Sequence, residues 1–176
     1  MATSRDTVSV KDCALEVARS MGYEDLQEEQ VLVASEFVGG KDVFVALPMG
    51  YGKSFCYGCL PGVFQHFKGG QNGIVVVVSP LVAIMKDQVA SFEKKGVSAA
   101  HLAGSVDQEV KIGVVSGSYS LVFMSPEQLL TVQKWRSMLQ SVYREKLVTV
   151  SPDKPNVIFT VSLCTTLEEA FIPLME

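Results

Sequence analysis

The chain is short of basic charge: 15 Lys and Arg stand against 19 Asp and Glu, for a formal charge of −4, with only two histidines. That balance gives no general basic field, so any nucleic-acid contact has to come from local geometry. Long apolar runs are missing as well. The longest, Ile74 to Met85, is interrupted by Ser79-Pro80 and is too short to span a bilayer. No charged-then-apolar leader opens the sequence, so an intracellular protein without a membrane partner is expected. The four cysteines, Cys13, Cys56, Cys59 and Cys164, hold one Cys-x-x-Cys but no second pair, and His66 and His101 are the sole imidazoles. Zinc-type spacing is therefore absent, and the cysteines read as reduced, buried residues.

What is present fits one core-bearing domain. At 176 residues and 48% hydrophobic, the chain is too apolar for disorder and too short for two ordinary domains. Val10, Ala14, Val17 and Met21 recur at helical spacing and stop at Gly22. A second helix is expected from Asp25, with Glu28 as capping-box partner, to Gly39-Gly40. Val43 to Leu47 is a strand, followed by a helix from Gly52 towards Phe67 with a kink at Pro61.

Ile74 to Val78 is a continuous β-branched run, as suits a strand buried on both faces of a parallel sheet. The next helix puts Leu81, Ile84, Met85, Val89 and Phe92 on one face. Short strands follow at Ala99 to Leu102 and Leu121 to Met124, then a helix from Pro126 to about Gln140. Leu147 to Val150 and Asn156 to Val161 read as strands, and a short helix with Thr166 and Glu169 at capping-box spacing ends the pattern. Alternating strands and helices predict an α/β, doubly wound, mostly parallel sheet with ligands at the carboxyl ends of its strands. The tail is too short for a core of its own.

Pro48-Met49-Gly50-Tyr51-Gly52-Lys53-Ser54 carries the strongest chemical signal. A strand running into Gly-x-Gly-Lys-Ser and then a helix describes a phosphate-binding loop. Its glycines let backbone N–H groups turn inward, and Lys53 reaches the outer phosphates. Ser54 would offer its hydroxyl to a Mg2+ ion that travels with the nucleotide. Leu47 stands where the strict form of the loop has its first glycine, a spacing that fits the helicase form.

Two further segments share one design. Val75 to Val78 runs into Ser79-Pro80-Leu81, and Leu121 to Met124 runs into Ser125-Pro126-Glu127. Serine is a good N-cap and proline suits the first helical position, so each segment is expected to start a helix at a strand's carboxyl end. Such an end can meet a nucleic-acid phosphate without basic side chains. Gln30 has a carboxamide able to pair with adenine N7 and N6, and Tyr23 could stack on the same base. Glu127 reads as first-turn charge complementing a helix dipole.

The segments Gly22-Tyr23-Glu24-Asp25-Leu26-x-x-Glu29-Gln30, Leu47 to Tyr57, Val78-Ser79-Pro80-Leu81-x-Ala83-x-Met85-Lys86-Asp87-Gln88-Val89 and Phe123 to Leu129 together resemble RecQ-type DNA helicases. The likeness covers about residues 10 to 147. It implies a P-loop NTPase fold of RecA-like type, ATP and Mg2+ as cofactors, and single-stranded or forked DNA as partner. Intact members of that family unwind DNA three-prime to five-prime, in DNA repair, and in a eukaryote would do so in the nucleus. By that resemblance Tyr23 and Gln30 read adenine, Pro48, Met49, Gly50, Tyr51, Gly52, Lys53 and Ser54 hold ATP, and Ser79, Pro80, Leu81, Ser125 and Pro126 lie near DNA.

The departures bear on activity. The family has threonine where Met49 stands and arginine where Gln27 stands, which weakens the expected phosphate and adenine contacts. The strand Leu147 to Val150 should lead into Asp-Glu-Ala-His, whose acids hold magnesium and orient the attacking water. Ser151-Pro152-Asp153 follows instead. Asp153 lies beyond a proline with no neighbouring glutamate and is no substitute.

Residues 1–148 are thus expected to form a first motor lobe lacking the acidic motif. Residues 149–176 resemble the entry to a second lobe, as a skipped exon, a gene-model error or a degenerate copy would each produce. The expected function is nucleotide and DNA contact without hydrolysis, with no complete catalytic set and Lys53 retained. A non-catalytic module for nucleotide, DNA or a protein partner is the alternative. An unrelated P-loop kinase or GTPase ranks third, because neither Asn-Lys-x-Asp nor an arginine-rich lid is present.

Overall fold

The structure, a computed structural model, describes residues 9–67, 73–104, 106–131, 147–152 and 159–162. Helix α1 (Val10–Ser20) is capped by Ser9, whose hydroxyl accepts from the Asp12 N–H, and it stops at Gly22 with φ +83°. Helix α2 spans Glu28–Val38, three residues later than the sequence pattern predicts. Asp25 turns its carboxylate onto the neighbouring Leu26 N–H, and Gln27 takes the N-cap position instead.

Strand β1 (Val43–Val45) enters the glycine loop. The single helix expected after it is two: α3 (Lys53–Gly58) and α4 (Leu60–Phe67). The break falls at Cys59, just ahead of Pro61, which lacks the N–H needed to continue the ladder.

Strand β2 (Ile74–Val78), helix α5 (Val82–Lys94), strand β3 (Ala99–Leu102), helix α6 (Gln108–Val115) and strand β4 (Leu121–Met124) follow. Helix α7 is described over Pro126–Thr131, and the expected extension to Gln140 lies outside the described residues. So does the expected helix around Thr166. Strands β5 (Leu147–Pro152) and β6 (Phe159–Ser162) complete a six-stranded sheet in the order β1-β6-β5-β2-β4-β3.

The sheet is an open α/β layer of RecA-like kind, incomplete and mostly parallel. β2 pairs in parallel with β4 and β5, and β3 with β4. β6 alone runs against its neighbours: Val161 faces Val43 of β1 on one side and Val150 of β5 on the other. β1 and β5 therefore run the same way, and the carboxyl ends of β1, β5, β2, β4 and β3 share one edge. The 148/149 boundary drawn from the sequence falls inside β5.

Both faces of β2 are buried. Val75 and Val77 pack with Phe37, Phe55, Phe64, Met85 and Phe92 on one side, and Val76 and Val78 with Leu102, Val114 and Met124 on the other. The apolar face assigned to α5 is narrower than its sequence implies. Met85 and Phe92 are buried, but Leu81 and Ile84 are 43% and 42% exposed.

Candidate functional site

The glycine loop lies at the carboxyl end of β1, the position at which open α/β sheets take ligands. Gly50 and Gly52 sit at φ +81° and +70°, backbone that side chains rarely adopt, so the two glycines shape the loop. Gly52 is the N-cap of α3, and its carbonyl accepts from the Phe55 N–H at 2.9 Å. The Tyr51 N–H closes a turn onto the Pro48 carbonyl at 3.3 Å. Met49 and Tyr51 project outward, Met49 with 71% of its surface exposed.

Lys53 folds back on the loop. Its Nζ donates to the Leu47 carbonyl at 2.9 Å and the Pro48 carbonyl at 3.1 Å. Carbonyl oxygens are weaker partners for an ammonium than a phosphate or a carboxylate, so an anion brought to the loop would compete with them for this cation. Ser54 is half-buried beside the Tyr57 phenol. Burial pushes the Tyr57 hydroxyl well above its usual range, against the opposing hydrogen bond from Ser54, and the phenol donates to Gln88 Oε1 at 3.1 Å. That bond ties α3 to α5.

Gln30 is 6% exposed and turns its carboxamide onto the loop. Nε2 donates to the Tyr51 and Gly52 carbonyls, each at 3.2 Å, while Oε1 accepts from the Gln27 N–H at 3.0 Å. A methyl group on Gly52 would stand 2.6 Å from Nε2. Gln30 thus braces the loop from behind, a role the sequence does not announce. Adenine pairing by this carboxamide would require it to exchange those partners. Tyr23 is half-buried, edge-on to Phe55 at 5.3 Å, and Lys95 both donates to its hydroxyl and lies 4.5 Å from its ring centre. A base stacking on Tyr23 has to share the ring with that cation.

The two Ser-Pro corners are neighbours, because the Ser79 N–H donates to the Met124 carbonyl at 3.0 Å. They are built differently. Ser125 fulfils its expected role: its hydroxyl accepts from the Gln128 N–H at 3.3 Å and Pro126 is the first residue of α7. Ser79 does not cap α5. Its hydroxyl accepts from the Leu81 N–H two residues on, and α5 starts at Val82 with Leu81 extended before it. Both hydroxyls are buried, Pro80 and Leu81 are exposed, and Pro126 is half-buried. A hydrogen bond from Ser125 holds the Glu127 carboxyl below its ordinary range.

Cys13, Cys56 and Cys59 are free and buried, and burial pushes Cys56 up to about 11 and Cys59 higher still, so these thiols stay protonated. A cavity of about 630 Å³ lies away from the loop, where Gly73, Ser98 and Ser120 precede β2, β3 and β4. Its place at the amino ends of the strands separates it from the chemistry of the loop. Among the described residues no helix is long and apolar enough to cross a membrane.

Residues 27–149 match the DEAD/DEAH box helicase family. The chain is 31% identical over 153 residues to the ATP-dependent DNA helicase RecQ of Haemophilus influenzae, covering 84% of this chain and 23% of that protein. It is 38% identical over 122 residues to the ATP-dependent helicase wrn-1 of Caenorhabditis elegans, covering 68% and 11%. Against the ATP-dependent helicase SGS1 of Saccharomyces cerevisiae it is 31% identical over 148 residues, covering 81% and 10%. The match spans between about a tenth and a quarter of the length of these relatives.

Proposed function

The chain belongs to the DEAD/DEAH box helicase family, among its RecQ-type members, and from that premise we propose that it holds ATP by its phosphates and lies against DNA without hydrolysing the one or unwinding the other. One observation carries this reading. The loop after β1 keeps Gly50, Gly52, Lys53 and Ser54, whereas β5, running the same way in the same sheet, ends in Thr149-Val150-Ser151-Pro152 with no carboxylate.

Holding and cutting a triphosphate need different groups. Holding needs N–H donors and a cation: Lys53 would be the cation, and the glycine-shaped backbone leading into α3 would supply the donors. Cutting would need acids that hold a metal ion to neutralise the developing charge, and a group that orients the attacking water. Electrostatic groups of that kind each contribute about a hundredfold to a thousandfold in rate. Their loss leaves a site that binds and does not turn over.

DNA contact is supported by the adjacent corners at Ser79 and Ser125, which bring β2 and β4 to one edge of the sheet with Pro80 and Leu81 exposed. The buried serine hydroxyls already have partners, so a strand would meet backbone and the exposed Pro80-Leu81 surface. The relatives include bacterial and eukaryotic proteins, so the compartment follows the host and is nuclear in a eukaryote.

The test is steady-state phosphate release by the purified chain with saturating ATP and single-stranded DNA. The expected rate equals that of Lys53→Ala. Robust turnover that Lys53→Ala abolishes would overturn the proposal.

A further inference from the structure

Among the described residues the donor set around the loop does not fit a bound magnesium ion. Ser54 offers one hydroxyl, and that hydroxyl lies beside the Tyr57 phenol. Strand β5 brings no acid to the shared edge: Leu147–Pro152 contains none, and Asp153, the next acid, lies outside the described residues. Lys53 points the same way, because its ammonium rests on the carbonyls of Leu47 and Pro48 and pairs with no carboxylate among the described residues. Magnesium demands near-octahedral oxygen geometry, dehydrates reluctantly, and is held in nucleotide sites by one or two carboxylates together with the phosphates. A lone serine hydroxyl supplies one weak, neutral ligand.

We propose that this site binds the nucleotide's polyphosphate chain independently of magnesium. The inference rests on the reading of the loop as the nucleotide site, and adds that affinity comes from the loop's own donors. Where a site's acids grip the ion, the ion is a bridge between protein and phosphate. Here any ion that arrives with the nucleotide stays on the phosphates and faces water. Lys53 and the backbone N–H groups meet the same oxygens with or without it.

The experiment is calorimetric titration of the full chain with ATP at constant ionic strength, once in magnesium chloride and once in EDTA, with Lys53→Ala as control. Dissociation constants agreeing within about threefold, both weakened by Lys53→Ala, are expected. Binding weakened more than about tenfold in EDTA overturns magnesium independence while leaving the phosphate-loop reading intact. If Asp153→Asn then removes that magnesium effect, the residue that supplies the missing acid is identified. Absence of binding in both buffers, or binding that ignores Lys53→Ala, overturns the phosphate-loop reading itself.

Discussion

The carboxyl ends of β1 and β5 point to the same edge of one sheet, with only β6 between them, and they end in opposite ways. β1 opens into a loop shaped by two left-handed glycines, braced by Gln30 and furnished with a lysine. β5 runs through Ser151 and Pro152 with no acid, and the chain returns as β6, antiparallel to both neighbours. On the function proposed above, holding and cutting a phosphate would depend on separate strand ends. The glycine loop keeps its left-handed backbone, its Gln30 brace and its lysine in a sheet whose β5 carries no acid over Leu147–Pro152. β6 also joins β1 to the rest of the sheet: it pairs with the backbone of both β1 and β5, which would otherwise each present an unpaired edge.

Substitutions at the two ends should separate them, and the largest effect is expected at Lys53. Lys53→Ala removes a charge-assisted contact to phosphate, so ATP affinity should fall about tenfold to a hundredfold. Ser151→Ala at the end of β5 should leave affinity unchanged in the same titration. Equal losses from the two would erase the distinction between them.

Gly52→Ala tests whether the loop's shape depends on its brace. The alanine would be strained at φ +70° and would crowd Gln30 Nε2, so chemical denaturation should show a loss of about 1–2 kcal/mol. Gln30→Ala in the same background should relieve the crowding but not the backbone strain. An undestabilised Gly52→Ala would mean that the brace does not fix the loop.

The two Ser-Pro corners give a smaller contrast. Ser125→Ala removes a helix cap and should lower stability by about 1 kcal/mol. Ser79→Ala removes only a long bond to Leu81 and should cost at most about 0.5 kcal/mol. Equal effects in parallel thermal melts would contradict the difference seen between them.

Smallest is the pH effect at Glu127, whose folded carboxyl lies below its ordinary range because of Ser125. A lowered folded value means the stabilisation is fully present above the unfolded carboxylate range and is lost as pH falls through the folded one. Melting temperatures of the wild type should therefore fall across that acidic window by slightly more than those of Ser125→Ala. Identical slopes would remove the Ser125–Glu127 bond from the account.

Much of this architecture was legible in local pattern. The runs Ile74–Val78 and Leu121–Met124 are continuously apolar because both faces of each strand are covered, and their bounds in the structure match the sequence reading. The loop was legible because glycine spacing, lysine and hydroxyl express one geometry. Helix α6 was missed, although Val106, just before the N-cap Asp107, and Val110 and Val114 after it recur every four residues and pack against the same face of the sheet. The Ser79 corner misled because a serine hydroxyl bonding two residues ahead competes with capping, and nothing local to the sequence decides between them. Gln30's turn onto the loop and the antiparallel entry of β6 depend on partners far along the chain, so local periodicity carries neither.

The central claim is that this chain grips a triphosphate and does not cut it. It is tested most directly by incubating the protein in excess over labelled ATP with magnesium and single-stranded DNA, then quenching and resolving the bound nucleotide. The account predicts that protein-bound ATP is recovered intact after prolonged incubation, at the level seen for free ATP. Recovery of ADP and phosphate from the wild type, but not from Lys53→Ala, would contradict it.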